Sequence, residues 1–62
     1  MRWELFEVVA VGEDGYEEVV NTTKSLKEAR ELAKKKLTEG AVEIIINREV
    51  DDVVEEVERL TA

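Results

Sequence analysis

Sixty-two residues carry sixteen Asp and Glu against nine Lys and Arg, a formal charge of −7, with no His and no Cys. Disulfide staples and thiolate metal sites are thereby excluded, the commonest general base is missing, and nucleic-acid binding, which draws its affinity from basic side chains neutralising phosphates, is opposed. A chain this short buries only about 60% of the surface its unfolded form exposes, so one domain spanning 1–62 is expected, its small core dependent on well-formed elements, close packing or self-association.

No basic start leads into an apolar run, and no apolar run reaches the roughly 18 residues of a membrane span. The chain reads as soluble and untargeted, cytoplasmic if natural. Its charge is uneven. Lys24 to Lys36 holds six basic and two acidic residues, whereas Arg48 to Ala62 holds two basic and six acidic.

Residues 3–11, WELFEVVAV, and 16–21, YEEVVN, are rich in β-branched and aromatic side chains and flank GEDG. This is a hairpin signature. Gly15 tolerates positive φ, which suits a type I turn over Gly12 to Gly15 closed by a glycine bulge, with Val9 opposite Val19 and Val8 opposite Val20. A two-residue turn at Asp14 and Gly15 is the alternative, and it shifts that register.

Residues 25–40, SLKEARELAKKKLTEG, predict a helix. Ser25 followed by Glu28 is a capping box, and Leu26, Ala29, Leu32, Ala33 and Leu37 form one apolar stripe among charges. Glu31 and Lys35 are spaced to pair, Lys34 to Lys36 oppose the negative end of the helix dipole, and Gly40 suits the left-handed terminator.

AVEIII, residues 41–46, is a third strand with Val42, Ile44 and Ile46 on one face and Glu43 and Ile45 on the other. In VDDVVEEVERL, residues 50–60, the Val content favours a strand. Val50, Val53, Val54, Val57 and Leu60 nevertheless recur at helical spacing, and Asp52 with Glu55 resembles a capped start. A second helix is the expectation and a fourth strand the alternative. The fold class is then α+β: a two-layer ββαβα unit with a three-stranded antiparallel sheet of order 2-1-3 and both helices on one face, the alternative being ββαββ. The cationic and anionic helices would lie side by side.

Each residue of a type that carries chemistry has a plainer explanation. Asp51, Asp52, Glu55 and Glu56 offer oxygen ligands for a hard cation, but they also suit the acidic first turn of a helix. GEDG lacks the spacing of a calcium loop, and no Gly-rich cradle opens a helix toward phosphate. Lys27, Arg30 and Lys34 share a helix face that Glu28 and Glu31 interrupt, so they read as a solvated surface. Asn21-Thr22-Thr23 matches a glycosylation acceptor by chance, and Trp3, Phe6 and Tyr16 read as hairpin packing. No catalytic residue, cofactor, metal, nucleic-acid, membrane or small-molecule partner is expected.

One feature does not reduce to a monomer. Strict alternation puts Trp3, Leu5, Val9 and Val11 on one face of strand one and Phe6, Val8 and Ala10 on the other, and Ile45 opposes Ile44 and Ile46. Helices on one side leave the other bare unless a bulge near Leu5 to Glu7 redirects it. Trp3, Leu5, Val9, Val11, Val19 and Ile45 are therefore candidate self-association residues, through the open face or a strand edge of a homodimer.

The hairpin turn GEDG, the capped SLKE, the terminator EG, the strand VEIII and surfaces written in Glu, Lys, Arg and Asp resemble de novo designed α+β mini-proteins. His, Cys, Pro and Gln are all missing, which fits that style, whereas Val-rich helix positions and NTT do not. The resemblance implies a protein whose role is to adopt its fold, without biochemical activity. The alternative is a small natural domain, SLKEA and GAVEIII standing for its helix and strand, that binds a protein or peptide through a sheet edge or the open face.

Overall fold

A computed structural model describes residues 3–62. Five elements follow in order: β1 (Glu4–Val11), β2 (Glu17–Thr23), α1 (Leu26–Thr38), β3 (Glu43–Val50) and β4 (Val53–Thr61). The strands form one antiparallel sheet of order β2-β1-β3-β4, so the architecture is α+β with ββαββ topology and a single helix on one face. Because β1 lies antiparallel between them, β2 and β3 run the same way, and α1 is the crossover that carries the chain over β1.

The local signals for the first hairpin and the helix hold. The Gly15 amide donates to the Gly12 carbonyl and the Gly12 amide to the Tyr16 carbonyl, each at 3.0 Å, with Gly15 at φ +83°. At the start of α1 the Ser25 hydroxyl accepts from the Glu28 amide at 3.2 Å, which is one half of the expected capping box; the return bond from the Ser25 amide to the Glu28 carboxylate is not made among the described residues. At its end Gly40, at φ +112°, donates to Leu37, and Ala41 donates to Lys36, which together make a Schellman motif. The Glu31–Lys35 pair is replaced among the described residues by Lys36 and Glu39, 3.3 Å apart.

Buried Ala29 and Ala33 let α1 settle close to Phe6, Val8, Ile44 and Ile46, with Leu26, Leu32, Leu37 and Leu60 at the margin. The expected faces of β1 and of Ile44 to Ile46 are therefore correct.

Two expectations are corrected. Val9 does pair with Val19, but a bulge between Val8 and Val9 puts Asn21 opposite Val8 instead of Val20. The inserted residue reverses the alternation beyond it, so Thr23 comes to lie opposite Phe6, is buried, and its hydroxyl donates to the Ser25 carbonyl at 2.8 Å.

The larger correction concerns residues 50–60, which are not a second helix: Asp51 and Asp52, at φ +48° and +70°, make a two-residue turn into β4. Positive φ at both central positions is the type I′ signature. The sheet has four strands, not three, and the two helices expected on one face are one. As a strand, β4 covers the edge of β3 and sets Leu60 beside Ile44 over the core. Among the described residues the expected pairing of oppositely charged helices survives as Arg30 on α1 and Glu58 on β4, 2.9 Å apart. Among the described residues no helix is long and apolar enough to cross a membrane.

Candidate functional site: the open face of the sheet

With α1 on one side, the other face of the sheet is bare, and the strand registers define its surface row by row. Val19, Val9, Ile45 and Arg59 lie opposite one another across all four strands. Toward the β1–β2 turn the next row is Glu17, Val11, Glu43 and Thr61; in the other direction it is Thr22, Glu7, Asn47 and Glu56. Leu5, Glu49 and Val54 follow.

Of the residues singled out from sequence, Val9, Val19 and Ile45 form one contiguous row with Val11 beside it. Leu5 lies on the same face, separated from Val9 along β1 by Glu7. Trp3 stands just before β1 and is exposed, so the rows do not include it. Although nothing is packed on this face, Val9 and Ile45 are only 5% and 6% exposed, whereas Val19, on the edge strand, is 54% exposed. Central strands explain the contrast, because neighbours on both sides shield a β-branched side chain that an edge position leaves open.

Arg59 closes the row beside Ile45. Its guanidinium reaches Glu43 at 2.6 Å and Glu56 at 2.8 Å, which sets a charged cap at the end of an apolar row. Glu56 and Arg59, three apart in sequence, share a face only because β4 carries a bulge opposite Ile46 and Asn47, with Val57 the extra residue. The hydrogen bonds that Arg59 donates hold the Glu56 carboxyl below the usual carboxylate range, and the same bonds raise Arg59. Both side chains are about half exposed, so the pair orders the surface more than it stabilises the fold.

Among the described residues, five carboxylates, Glu7, Glu17, Glu43, Glu49 and Glu56, against one guanidinium give this face a net charge of −4. Arg59 serves two of them. Glu7, Glu17 and Glu49 have no ion pair among the described residues. Glu7 is the central one: half-buried on β1, it is flanked by neutral Thr22 and Asn47 and lies between Leu5 and Val9 on the same face.

The acidic candidates do not gather. Asp51 and Asp52 are in the turn, while Glu55 and Glu56 project from opposite faces of β4. Among the described residues no group of three or more His, Cys, Asp or Glu side chains is arranged to hold a metal. At the far end of the β3–β4 hairpin, a shallow cleft of about 310 Å³ is lined by Arg48, Val50, Asp51, Val53 and Glu55. Arg48 is already committed to Glu4 at 2.6 Å.

Sequence reasoning missed Arg59, Glu56 and Val54 as members of this face. Their membership depends on β4 being a strand with a bulge. Glu7 was legible by its alternation with Leu5 and Val9, but an acid at a strand position reads by default as solvent-facing. Comparison of the chain with protein-family models, curated proteins and solved structures finds no match.

Proposed function

We propose that this chain is a non-catalytic binding module that offers its open sheet face to another protein. The observation that carries the reading is the row Val19, Val9 and Ile45 on the face that the chain's own helix does not cover, Val19 exposed and Val9 and Ile45 shielded by their strand neighbours, surrounded by carboxylates of which three are unpaired among the described residues. An apolar strip with a polar, charged rim is the general form of a protein docking surface. A non-catalytic role is further supported by a composition without His or Cys, which removes the commonest general base and the most reactive nucleophile.

The second reading is a designed protein whose role is only to adopt this fold. Its support is the completeness of local rules: a glycine-bulge hairpin, a Ser N-cap, a Schellman end and charged surfaces. Against it stands the β3–β4 turn, where two consecutive Asp residues occupy positive φ and an idealised sequence would place Asn-Gly or Asp-Gly.

Amide and methyl spectra of the full chain, titrated with helical and extended peptides that are cationic, neutral or anionic, separate the two. Saturable shifts on the open face or along β4 support a binding module. Absence of saturable binding across the whole panel overturns it in favour of the designed-fold reading.

A further inference from the structure

We infer that the open face takes a cationic amphipathic helix of a partner protein, laid over β1 and β3 with a Lys or Arg on Glu7. This rests on the binding-module reading and specifies its occupant. The net charge of −4 calls for positive charge in the partner, and Glu7 marks where it is needed most. A carboxylate between Leu5 and Val9, with only Thr22 and Asn47 beside it, loses hydration when the face is covered. A cation placed on it compensates that loss most fully, with a charge-assisted hydrogen bond and neutralisation of the charge.

The dimensions suit one helix. Four strands about 4.8 Å apart present a surface on which a cylinder of roughly 10–12 Å covers the two central strands and leaves the edges free. The face already covered by α1 shows the same solution in this fold, and a helix on the second face completes an α/β/α layering.

The other occupants fit less well. A second copy placed face to face brings −4 against −4. A second copy offering its α1 brings positive charge, but the exposed positions Lys27, Glu28, Arg30, Glu31, Lys34 and Lys35 include no apolar side chain to set on Val9 and Ile45. An added edge strand meets a bulge on both β2 and β4 and acids along each, the devices that blunt sheet edges.

The test uses the full chain and two helical peptides of roughly 18 residues with the same Leu stripe, one flanked by Lys and one by Glu, together with an extended peptide of alternating Lys and Val. The Lys helix should bind saturably and shift the methyls of Leu5, Val9, Val11 and Ile45 while leaving Ala29 and Ala33 in place. Glu7→Lys should weaken it by about tenfold or more, and Glu13→Lys, an equal charge change in the β1–β2 turn away from the face, by less than about twofold.

Glu49→Gln provides a second variant on the face if Glu7→Lys disturbs folding, which circular dichroism reports; it should weaken the Lys helix more than Glu13→Lys does. Equal binding of the Lys and Glu helices, or equal losses in Glu7→Lys and Glu13→Lys, would overturn the inference. Binding confined to the extended peptide along β4 overturns the inference and leaves the binding-module reading standing. Open-face shifts that grow with protein concentration alone assign the face to a second copy and likewise overturn it. No binding by any peptide removes both.

Discussion

Asp51 and Asp52 are the residues held furthest from their intrinsic preference, since both sit at positive φ, where L side chains crowd the backbone. Asp tolerates this region better than most residues, and Gly occupies it without the Cβ penalty. Asp52→Gly should therefore raise the urea midpoint, by roughly 1 kcal/mol in stability; a lowered midpoint would show that the turn is not of this type. The same scale decides the acid response of the open face. Glu56 titrates below its ordinary range because Arg59 donates to it, so its contribution is complete above the unfolded-state value and disappears as pH falls through the lower folded value. Arg59→Gln should return the Glu56 titration toward an ordinary carboxylate, followed by carboxyl carbon shifts. An unmoved titration would remove the pairing.

At the scale of elements, β1, α1 and the start of β3 were readable because each carries an uninterrupted period and its own punctuation, Gly15, Ser25 and Gly40; β2 was placed but its register past Val19 was hidden by its bulge, and the end of β3 was taken for the next segment. The segment 50–60 was not readable, and the reason is specific. A two-residue turn and then a bulge at Val57 each break the alternation of a strand, so that Val50, Val53, Val57 and Leu60 fall three or four apart and imitate a helical stripe. The two forms differ in a measurable way. A helix puts Val54 and Leu60 on one buried stripe, whereas the strand puts Leu60 over the core beside Ile44 and leaves Val54 on the open edge. Leu60→Ala should cost roughly 2 kcal/mol, and Val54→Ala less than about 0.5 kcal/mol. Equal losses in chemical denaturation would favour the helix. The open face was half legible for the same reason: alternation in β1 and β3 pointed to Leu5, Val9, Val11 and Ile45, while its fourth strand was hidden.

For the molecule as a whole, a core cluster of six buried residues among the described ones, in one layer contact, leaves little surplus, and a charge of −7 adds self-repulsion. The sequence-based expectation of a homodimer arose from counting apolar positions on a bare face. Two of the most apolar of them, Val9 and Ile45, are nearly buried by their sheet neighbours, so no occupant gains much apolar area from them and charge decides between occupants: a second copy brings −4 against −4. Sedimentation at high micromolar concentration should therefore report a monomer. A stable dimer that Val11→Lys or Ile45→Lys dissociates would restore the self-association reading in place of the cationic helix.

The chain alone determined what depends on neighbours in sequence: the glycine-closed hairpin, the capped and terminated helix, the two faces of β1, and the absence of imidazole and thiol chemistry. Tertiary structure decided what depends on pairing. Only the exposed edge of β3, with Ile44 awaiting a neighbour, gives residues 53–61 reason to extend, because a strand's backbone bonds are made with another strand and a helix's within itself. That choice brought Arg59 and Glu56 to the open face and left Glu7 at its centre without a counter-charge among the described residues.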